Sequence, residues 1–240
     1  MNPFIKIAYQ PYKWIIIIPF LFTITLVLGL ICIFTGLLLK QDAANIIAVI
    51  WAKLCCAIVP LNIIIKGKKK YNRNKSYVVV ANHQSMADIP VIHGHLGLNI
   101  KWIMKKELGK IPIFGSACHQ LGCIYIDRAN HDAAIKTIRE AQKKISRKAS
   151  VLFFAEGTRS RDGNVMPFKK GAFRFAIETG LPILPITIKN SIHVLPSDSL
   201  DLTPGNIEII VHHPIHIAKH HMDHLDEIIE HTRRTISKAL

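Results

Sequence analysis

The sequence predicts an α/β fold: a layered domain whose central, mostly buried sheet is flanked by helices, preceded by an N-terminal hydrophobic helical segment that attaches to a membrane. Two observations lead to this prediction. The run from Trp14 to Leu39 carries no charged residue, and after Lys70 short β-branched runs alternate with helical patterns. We therefore divide the chain into N-terminal membrane-attachment helices, residues 1–65, and an α/β domain, residues 66–240.

The N-terminal run is longer than the roughly 20 apolar residues that span a bilayer, and no small-residue cleavage site follows it. A second apolar stretch, Ala43–Ile65, holds Lys53 at its middle, where a charge costs at least about 2.5 kcal/mol in a bilayer. Either the first segment spans and the second lies at the interface, or both form a hairpin in one leaflet. A hairpin with both ends on the cytoplasmic side suits the basic flanks Lys6, Lys13, Lys66, Lys68, Lys69 and Lys70.

Six apolar runs bounded by turn residues are typical of strands: Tyr77–Ala81, Ile100–Met104, Cys123–Asp127, Val151–Ala155, Ile183–Ile188 and Ile207–His212. Helical patterns lie between them, at residues 86–97, 112–120, 131–148, 169–179 and 223–238. This alternation indicates a largely buried sheet with helices on its faces.

The formal net charge of +15 favours an anionic membrane surface or a negatively charged substrate, because the basic chain also carries a long apolar segment. No zinc finger or RNA-binding aromatic signature accompanies the charge, so we expect no nucleic-acid partner. The five cysteines form no C-x-x-C pair and indicate free thiols in a reducing compartment.

A metal site is not expected. The C-terminal part is rich in histidine, with His216/His220 and His220/His224 at i,i+4 spacing, but Pro214 interrupts it and no H-E-x-x-H pattern occurs. We interpret these side chains as solvent-exposed: His212, His213, His216, His220, His221, His224 and His231.

The first motif, Asn82–Asp88, reads NHQSMAD and follows an apolar strand. His83 and Asp88 can meet only if His83 precedes a helix and Asp88 lies in its first turn, with Ser85 as the N-cap and Asp88 as the third helical position. Asp88 then binds one imidazole nitrogen and leaves the other free to take a proton. Backbone N–H groups near that helix start are candidates for stabilising an oxyanion. Alternatively, Ser85 and Asp88 form only a capping pair.

The second motif, Phe154–Ser160, reads FAEGTRS and also leaves an apolar strand. Gly157 lets the backbone approach a ligand, Thr158 supplies a donor, and the guanidinium of Arg159 can bind two phosphate oxygens at once. The alternative is a polar turn with a surface Glu–Arg pair.

Together the two motifs resemble the N-H-x-x-x-x-D and F-P-E-G-T-R-S blocks of the glycerolipid acyltransferase family, with Ala155 at the position of the family's proline. Further blocks fall in the family's order: GCIYIDR at 122–128, LPILPI at 181–186, KKEL at 105–108 and FKKG at 168–171. The resemblance covers about residues 62–215 and, within the family, is greatest to bacterial 1-acylglycerol-3-phosphate acyltransferases.

The resemblance implies transfer of a fatty acyl group from acyl-CoA or acyl-carrier protein to the sn-2 hydroxyl of lysophosphatidate, a step of phospholipid biosynthesis that needs no cofactor. It implies His83 as general base, Asp88 as its partner, and binding of the acceptor by Arg159 with Gly157 and Thr158. It further implicates Glu156, Arg128 and Lys105 in acceptor binding. The expected location is the bacterial inner membrane, with the catalytic domain on the cytoplasmic side.

Two other functions stay open. The same basic cleft is compatible with a non-catalytic phospholipid-binding protein of the membrane, and the C-terminal histidines with a metal-dependent phospholipid hydrolase. The first predicts that His83→Ala leaves function intact, and the second predicts that a chelator abolishes it.

Overall fold

The computed structural model describes residues 3–39, 41–127, 137, 140, 149–217 and 223–240. Its N-terminal part is helical: α1 (Pro3–Tyr12), a π-helical turn (Lys13–Ile17), α2 (Ile18–Leu38) and α3 (Gln41–Ile58). The strands that follow are β1 (Leu61–Lys66), β2 (Val78–Ala81), β3 (Asn99–Lys105), β4 (Ile124–Ile126), β5 (Ala149–Phe154), β6 (Ile183–Lys189) and β7 (Gly205–Val211). The remaining helices are α4 (Asp88–His95), α5 (Phe114–Gln120), α6 (Gly171–Thr179), α7 (Ser191–Val194) and α8 (Leu225–Ser237), and a 3₁₀ turn covers Lys106–Lys110.

The strands form one mixed sheet in the order β1-β7-β6-β2-β5-β3-β4. Neighbours are parallel except β6 and β7, so β1 and β7 run opposite to the other five. This confirms the predicted α/β fold and all six predicted strands. The helix predicted at 131–148 lies outside the described residues, apart from Thr137 and Glu140.

The sequence analysis missed strand β1, which it took for the end of the second apolar stretch. Leu61–Lys66 pairs with β7 along the sheet edge, with alternate residues exposed. The sheet therefore begins before the predicted division at residue 66, and the helical part ends at Ile58.

The two faces of the sheet are covered differently. Val78 and Val80 of β2 point to the face covered by α6 and α8, whereas Val79 and Ala81 point to the face covered by α4. All four side chains are fully buried. The central strand is thus apolar on both sides, as expected of a sheet enclosed between helical layers.

Helices α2 and α3 form a hairpin that lies on the outside of α4 and α5. Glycines allow the close approach: a Cβ at Gly36 would come within 2.5 Å of Gln120 Cβ, and one at Gly29 within 2.7 Å of Ile113 Cγ2. The Trp51 indole N–H donates to Thr25 Oγ1 at 3.0 Å and joins the two helices.

The outer face of the hairpin is apolar and exposed. Two helices, Ile7–Leu38 and Gln41–Ile58, are long and apolar enough to cross a membrane by length and composition. Their exposed large side chains include Trp14, Ile15, Phe22, Val27, Leu30, Ile31, Phe34, Leu37, Ile46, Ile50 and Leu54.

Candidate active site

Both motifs lie at one edge of the sheet. Parallel strands β2, β5 and β3 end there, so the residues that follow them come together: His83 after β2, Glu156 after β5, and Lys105 at the end of β3. The Ser160 N–H donates to the His83 carbonyl oxygen at 2.8 Å and ties the first two loops to each other.

His83 and Asp88 form a direct pair. His83 Nδ1 lies 2.8 Å from Asp88 Oδ2, and the same oxygen accepts the backbone N–H groups of Gln84 and Ser85, each at 2.9 Å. Asp88 is fully buried and lies at the first residue of α4, not at the third position as predicted. Ser85 still caps the preceding turn, because its Oγ accepts the Ala87 N–H at 3.0 Å.

The hydrogen bonds set the tautomer of His83. An ionised carboxylate only accepts, so Nδ1 must donate to Asp88 and Nε2 is left without a proton and able to accept one. The imidazole also stacks on the Phe154 ring, with centroids 3.7 Å apart and planes 6° apart. Its side chain remains 14% exposed. The ring is therefore fixed from two sides, with access for a reacting group.

Some of the backbone N–H groups near the helix start, which the sequence suggested as oxyanion donors, are engaged in other hydrogen bonds. The N–H groups of Gln84 and Ser85 bind Asp88, that of Ala87 binds Ser85 Oγ, and that of Asp88 lies 3.3 Å from the Ser85 carbonyl oxygen. These four donors are already used within the loop.

Glu156 joins the two motif loops through its carboxylate. Oε1 accepts the His83 N–H at 2.8 Å, and Oε2 accepts the Met166 N–H at 2.9 Å. The side chain is buried, and burial raises its pKa to about 7 despite the two backbone donors. Both oxygens contact the protein itself, so the geometry gives Glu156 a role in holding the His83 backbone.

Ala155 retains a hydrogen bond that a proline at this position cannot make. Its N–H donates to the Ala81 carbonyl oxygen at 3.4 Å, and its own carbonyl accepts the Lys169 N–H at 2.8 Å. The turn into Glu156 is thus held by two backbone bonds.

The loop after Glu156 carries the cationic side of the site. Gly157 has a φ of +78°, which favours glycine, and a Cβ there would come within 2.8 Å of Lys169 Nζ. Arg159 donates to Asp198 Oδ1 at 3.0 Å, and Arg161 donates to Asp198 Oδ2 at 3.0 Å. Sequence reasoning noted Lys169 only as part of the FKKG block and did not identify Asp198, which is distant in the chain.

Three further residues were predicted to bind the acceptor. Thr158 is exposed on the Arg159 loop. Lys105 is exposed, lies 3.6 Å from Glu107, and borders the cavity described next. Arg128 lies outside the described residues.

A cavity of about 420 Å³ separates the hairpin from the α/β domain. His83 and Phe154 lie in its wall, and the rest is mostly apolar. Residues of the hairpin that line it include Leu28, Cys32, Ile47 and Trp51, and residues of the domain include Met86, Ile89, Met104, Ile111 and Leu121. The sequence did not reveal this cavity, because its walls come from segments far apart in the chain.

The cysteines and histidines form no metal centre in the described part of the chain. All five cysteines are free, and no group of three His, Cys, Asp or Glu side chains is placed to hold a metal there. His212 Nε2 lies 2.9 Å from Thr187 Oγ1, and His224 pairs with Glu227. His220 and His221 lie outside the described residues.

Comparisons with known proteins find similar acyltransferases. The model of the family described as Acyltransferase matches residues 62–189. A chloroplastic 1-acyl-sn-glycerol-3-phosphate acyltransferase of Arabidopsis thaliana is 36% identical over 183 residues, covering 75% of this chain and 51% of that protein. The enzyme of the same name from Helicobacter pylori is 34% identical over 135 residues, covering 56% and 57%.

A solved structure shares the whole fold. The crystal structure of the 1-acyl-sn-glycerophosphate acyltransferase PlsC from Thermotoga maritima is 25% identical and covers 100% of this chain and 96% of that one, with a TM-score of 0.80. The chain spans about half the length of the curated relatives it matches. From the match over residues 62–189, we conclude that the chain belongs to the Acyltransferase family.

Proposed function

We propose that the protein transfers a fatty acyl group from acyl-CoA or acyl-carrier protein to the sn-2 hydroxyl of 1-acylglycerol-3-phosphate, giving phosphatidate. The observation that carries this proposal is the His83–Asp88 pair, 2.8 Å apart, in the wall of an apolar cavity. The activities for which the plant and bacterial relatives and the Thermotoga maritima protein are named support it.

The reaction needs a base that is neutral at rest. His83 Nε2 takes the proton of the acceptor hydroxyl while that oxygen attacks the thioester carbonyl carbon. The buried Asp88 carboxylate stabilises the imidazolium that forms. When the tetrahedral intermediate collapses, the C–S bond breaks and His83 returns the proton to the departing thiolate. The products are an ester and a free thiol, with His83 neutral again.

The cavity suits the acyl chain of the donor. Its wall is largely apolar, so a hydrocarbon chain gains from leaving water there. With the chain inside, the thioester carbonyl lies at the cavity wall beside His83. Phe154 stacks on the imidazole and also lines the cavity, so it holds the base against the chain.

The acceptor phosphate suits the loop after Glu156. Arg159 supplies a planar fork of donors, and Lys169 adds a second cation beside Gly157. Both belong to the same edge of the sheet as His83. We assign Lys105 and Arg128 no separate step.

We also propose that the protein sits on the cytoplasmic side of a bacterial inner membrane, with the hairpin in one leaflet. Helix α2 packs along the domain at Gly29 and Gly36, so it follows the surface of the protein. Its exposed apolar face then enters the bilayer, while acceptor and product stay in the lipid phase.

Replacing the base tests catalysis. His83→Ala should lower turnover at least about a hundredfold, since a general base contributes roughly 10²–10⁴-fold. Asp88→Asn should also lower turnover strongly, because the neutral amide cannot stabilise the imidazolium. Initial rates with purified protein and circular dichroism measure activity and folding. Wild-type turnover in His83→Ala would favour a non-catalytic lipid-binding protein, and loss of wild-type activity on chelation would favour the metal-dependent hydrolase.

Replacing Glu156 tests its positioning role. In Glu156→Gln the amide keeps one acceptor oxygen but turns an NH₂ group toward the other backbone N–H. We expect kcat to fall by about tenfold or more with little change in the acceptor KM, because one loop contact is lost. Glu208→Gln, which removes a carboxylate paired with Lys66, is the matched control. A change confined to the acceptor KM would show that Glu156 binds the acceptor instead.

The wild type and Glu156→Gln also test the raised pKa of Glu156, through the dependence of stability on pH. The folded protein holds the Glu156 proton up to about pH 7, whereas an unfolded glutamate releases it near pH 4.5. Between these values the folded state binds more protons, so this group makes wild-type stability fall as pH rises. Urea unfolding should show the wild type losing free energy of unfolding relative to Glu156→Gln from pH 4.5 to 7. A constant difference across this range would contradict the raised pKa.

Replacing Arg159 tests the phosphate clamp. Arg159→Ala should raise the acceptor KM or lower kcat/KM for the acceptor, with a smaller effect on the donor, because the lost contact is to phosphate. Arg159→Lys should restore only part of the loss, since a point charge lacks the planar fork. Steady-state kinetics with each substrate varied in turn measures both. A defect seen only in donor saturation would contradict the assignment.

Altering the outer hairpin face tests membrane insertion. Phe22→Asn with Phe34→Asn leaves the buried helix face unchanged and should reduce vesicle binding and activity on vesicle-embedded acceptor far more than on a short-chain monomeric one. High salt should not release the wild-type protein, because screening does not weaken insertion. Vesicle flotation measures binding, and release by salt alone would show that the hairpin is not inserted.

A further inference from the structure

Residues 195–200 cross the cationic side of the site and contact three other parts of the protein. The Leu195 carbonyl oxygen accepts the Ser85 hydroxyl at 2.7 Å, beside the catalytic pair. Ser197 Oγ lies 3.1 Å from the carbonyl oxygens of both Gln84 and Ser160. The Leu200 carbonyl oxygen accepts the Lys13 ammonium at 3.4 Å, which links the segment to the N-terminal helices.

Asp198 is at the centre of this segment, with its carboxylate between two arginines. One oxygen accepts Arg159 and the other accepts Arg161, each at 3.0 Å. Asp198 has a φ of +59°, and its neighbour Ser197 anchors the backbone that holds it there. The anion that contacts Arg159 in the structure is therefore the protein's own carboxylate.

We propose that Asp198 is an internal competitor for the acceptor phosphate, and that the acceptor displaces it from Arg159 while Asp198 keeps its contact with Arg161. This rests on the proposed function, in which Arg159 binds that phosphate. The acceptor phosphate displaces the carboxylate because of its charge. A phosphate monoester carries up to about two negative charges and three acceptor oxygens, whereas a carboxylate carries one charge and two oxygens.

The exposure of the three side chains makes the exchange feasible. Arg161 is 83% exposed, Asp198 54% and Arg159 29%. Water screens an exposed ion pair, so the Asp198–Arg159 contact is weak and can be broken. Arg161 remains as a partner after the exchange, so the carboxylate is never left uncompensated. Arg159, the least exposed of the three, is the better site for a ligand.

The competition lowers the fraction of Arg159 that is free, and every anion that binds there loses affinity by that factor. Free phosphate has no acyl chain and gains nothing from the membrane. Asp198 thus keeps the site closed to soluble anions at concentrations where an acceptor gathered in the bilayer still displaces it.

The test uses the full-length protein and the variant Asp198→Asn, which keeps the size and tolerates the positive φ. We expect the acceptor KM to fall about twofold to fivefold with kcat unchanged, as loss of an exposed ion pair predicts. The dissociation constant of inorganic phosphate, measured by calorimetry without any donor, should fall by the same factor. Glu208→Gln should change neither value.

A second variant checks the exchange partner. Arg161→Ala leaves Asp198 with Arg159 alone and should raise the acceptor KM, and adding Asp198→Asn should remove that increase. If Asp198→Asn raises the acceptor KM, then Asp198 orients Arg159 for phosphate and the proposal is overturned. Unchanged phosphate affinity overturns it too. If the wild-type protein transfers no acyl group, the proposed function fails, but calorimetry with phosphate still decides the role of Asp198.

Discussion

The site depends on one buried negative charge, the carboxylate of Asp88. A buried carboxylate costs stability unless donors compensate its charge, and here Oδ2 accepts from the His83 ring and from the backbone N–H groups of Gln84 and Ser85. These three bonds to one oxygen fold the loop after β2 into a single shape. The same bonds fix the tautomer of His83, so they satisfy the buried carboxylate and also prepare His83 for its proposed role as a base.

A second carboxylate, that of Glu156, connects the loop after β2 to the loop after β5. Glu156 holds the backbones of His83 and Met166, and Ser160 holds the His83 carbonyl. The two motif loops therefore form one unit although 73 residues separate His83 from Glu156 in the chain. A cationic loop after β5 is thus kept at a fixed distance from His83 after β2, as the proposed reaction between a phosphate-bearing acceptor and a thioester requires.

Local patterns in the sequence predicted the layered fold, six of the seven strands in the described part of the chain, and the His83–Asp88 pair. Each of these rests on signals within a few residues: β-branched runs, helical stripes, and the offset of five between histidine and aspartate. Strand β1 was missed because Leu61–Lys66 follows α3 directly and shares its apolar character. Asp198 and the cavity were missed because they arise from contacts between distant segments, such as Arg159 with Asp198 and α2 with α5.

The cavity has one wall in the hairpin and the other in the α/β domain, so its width depends on how far apart these two parts lie. A pocket with both walls in one rigid domain would keep its width whether or not lipid is present. Here the distance between the walls is set by helices α2 and α3, whose outer side chains prefer hydrocarbon to water. With the hairpin inserted as proposed, bilayer thickness and lateral pressure act on that outer face, so the physical state of the membrane becomes one of the determinants of how wide the pocket is.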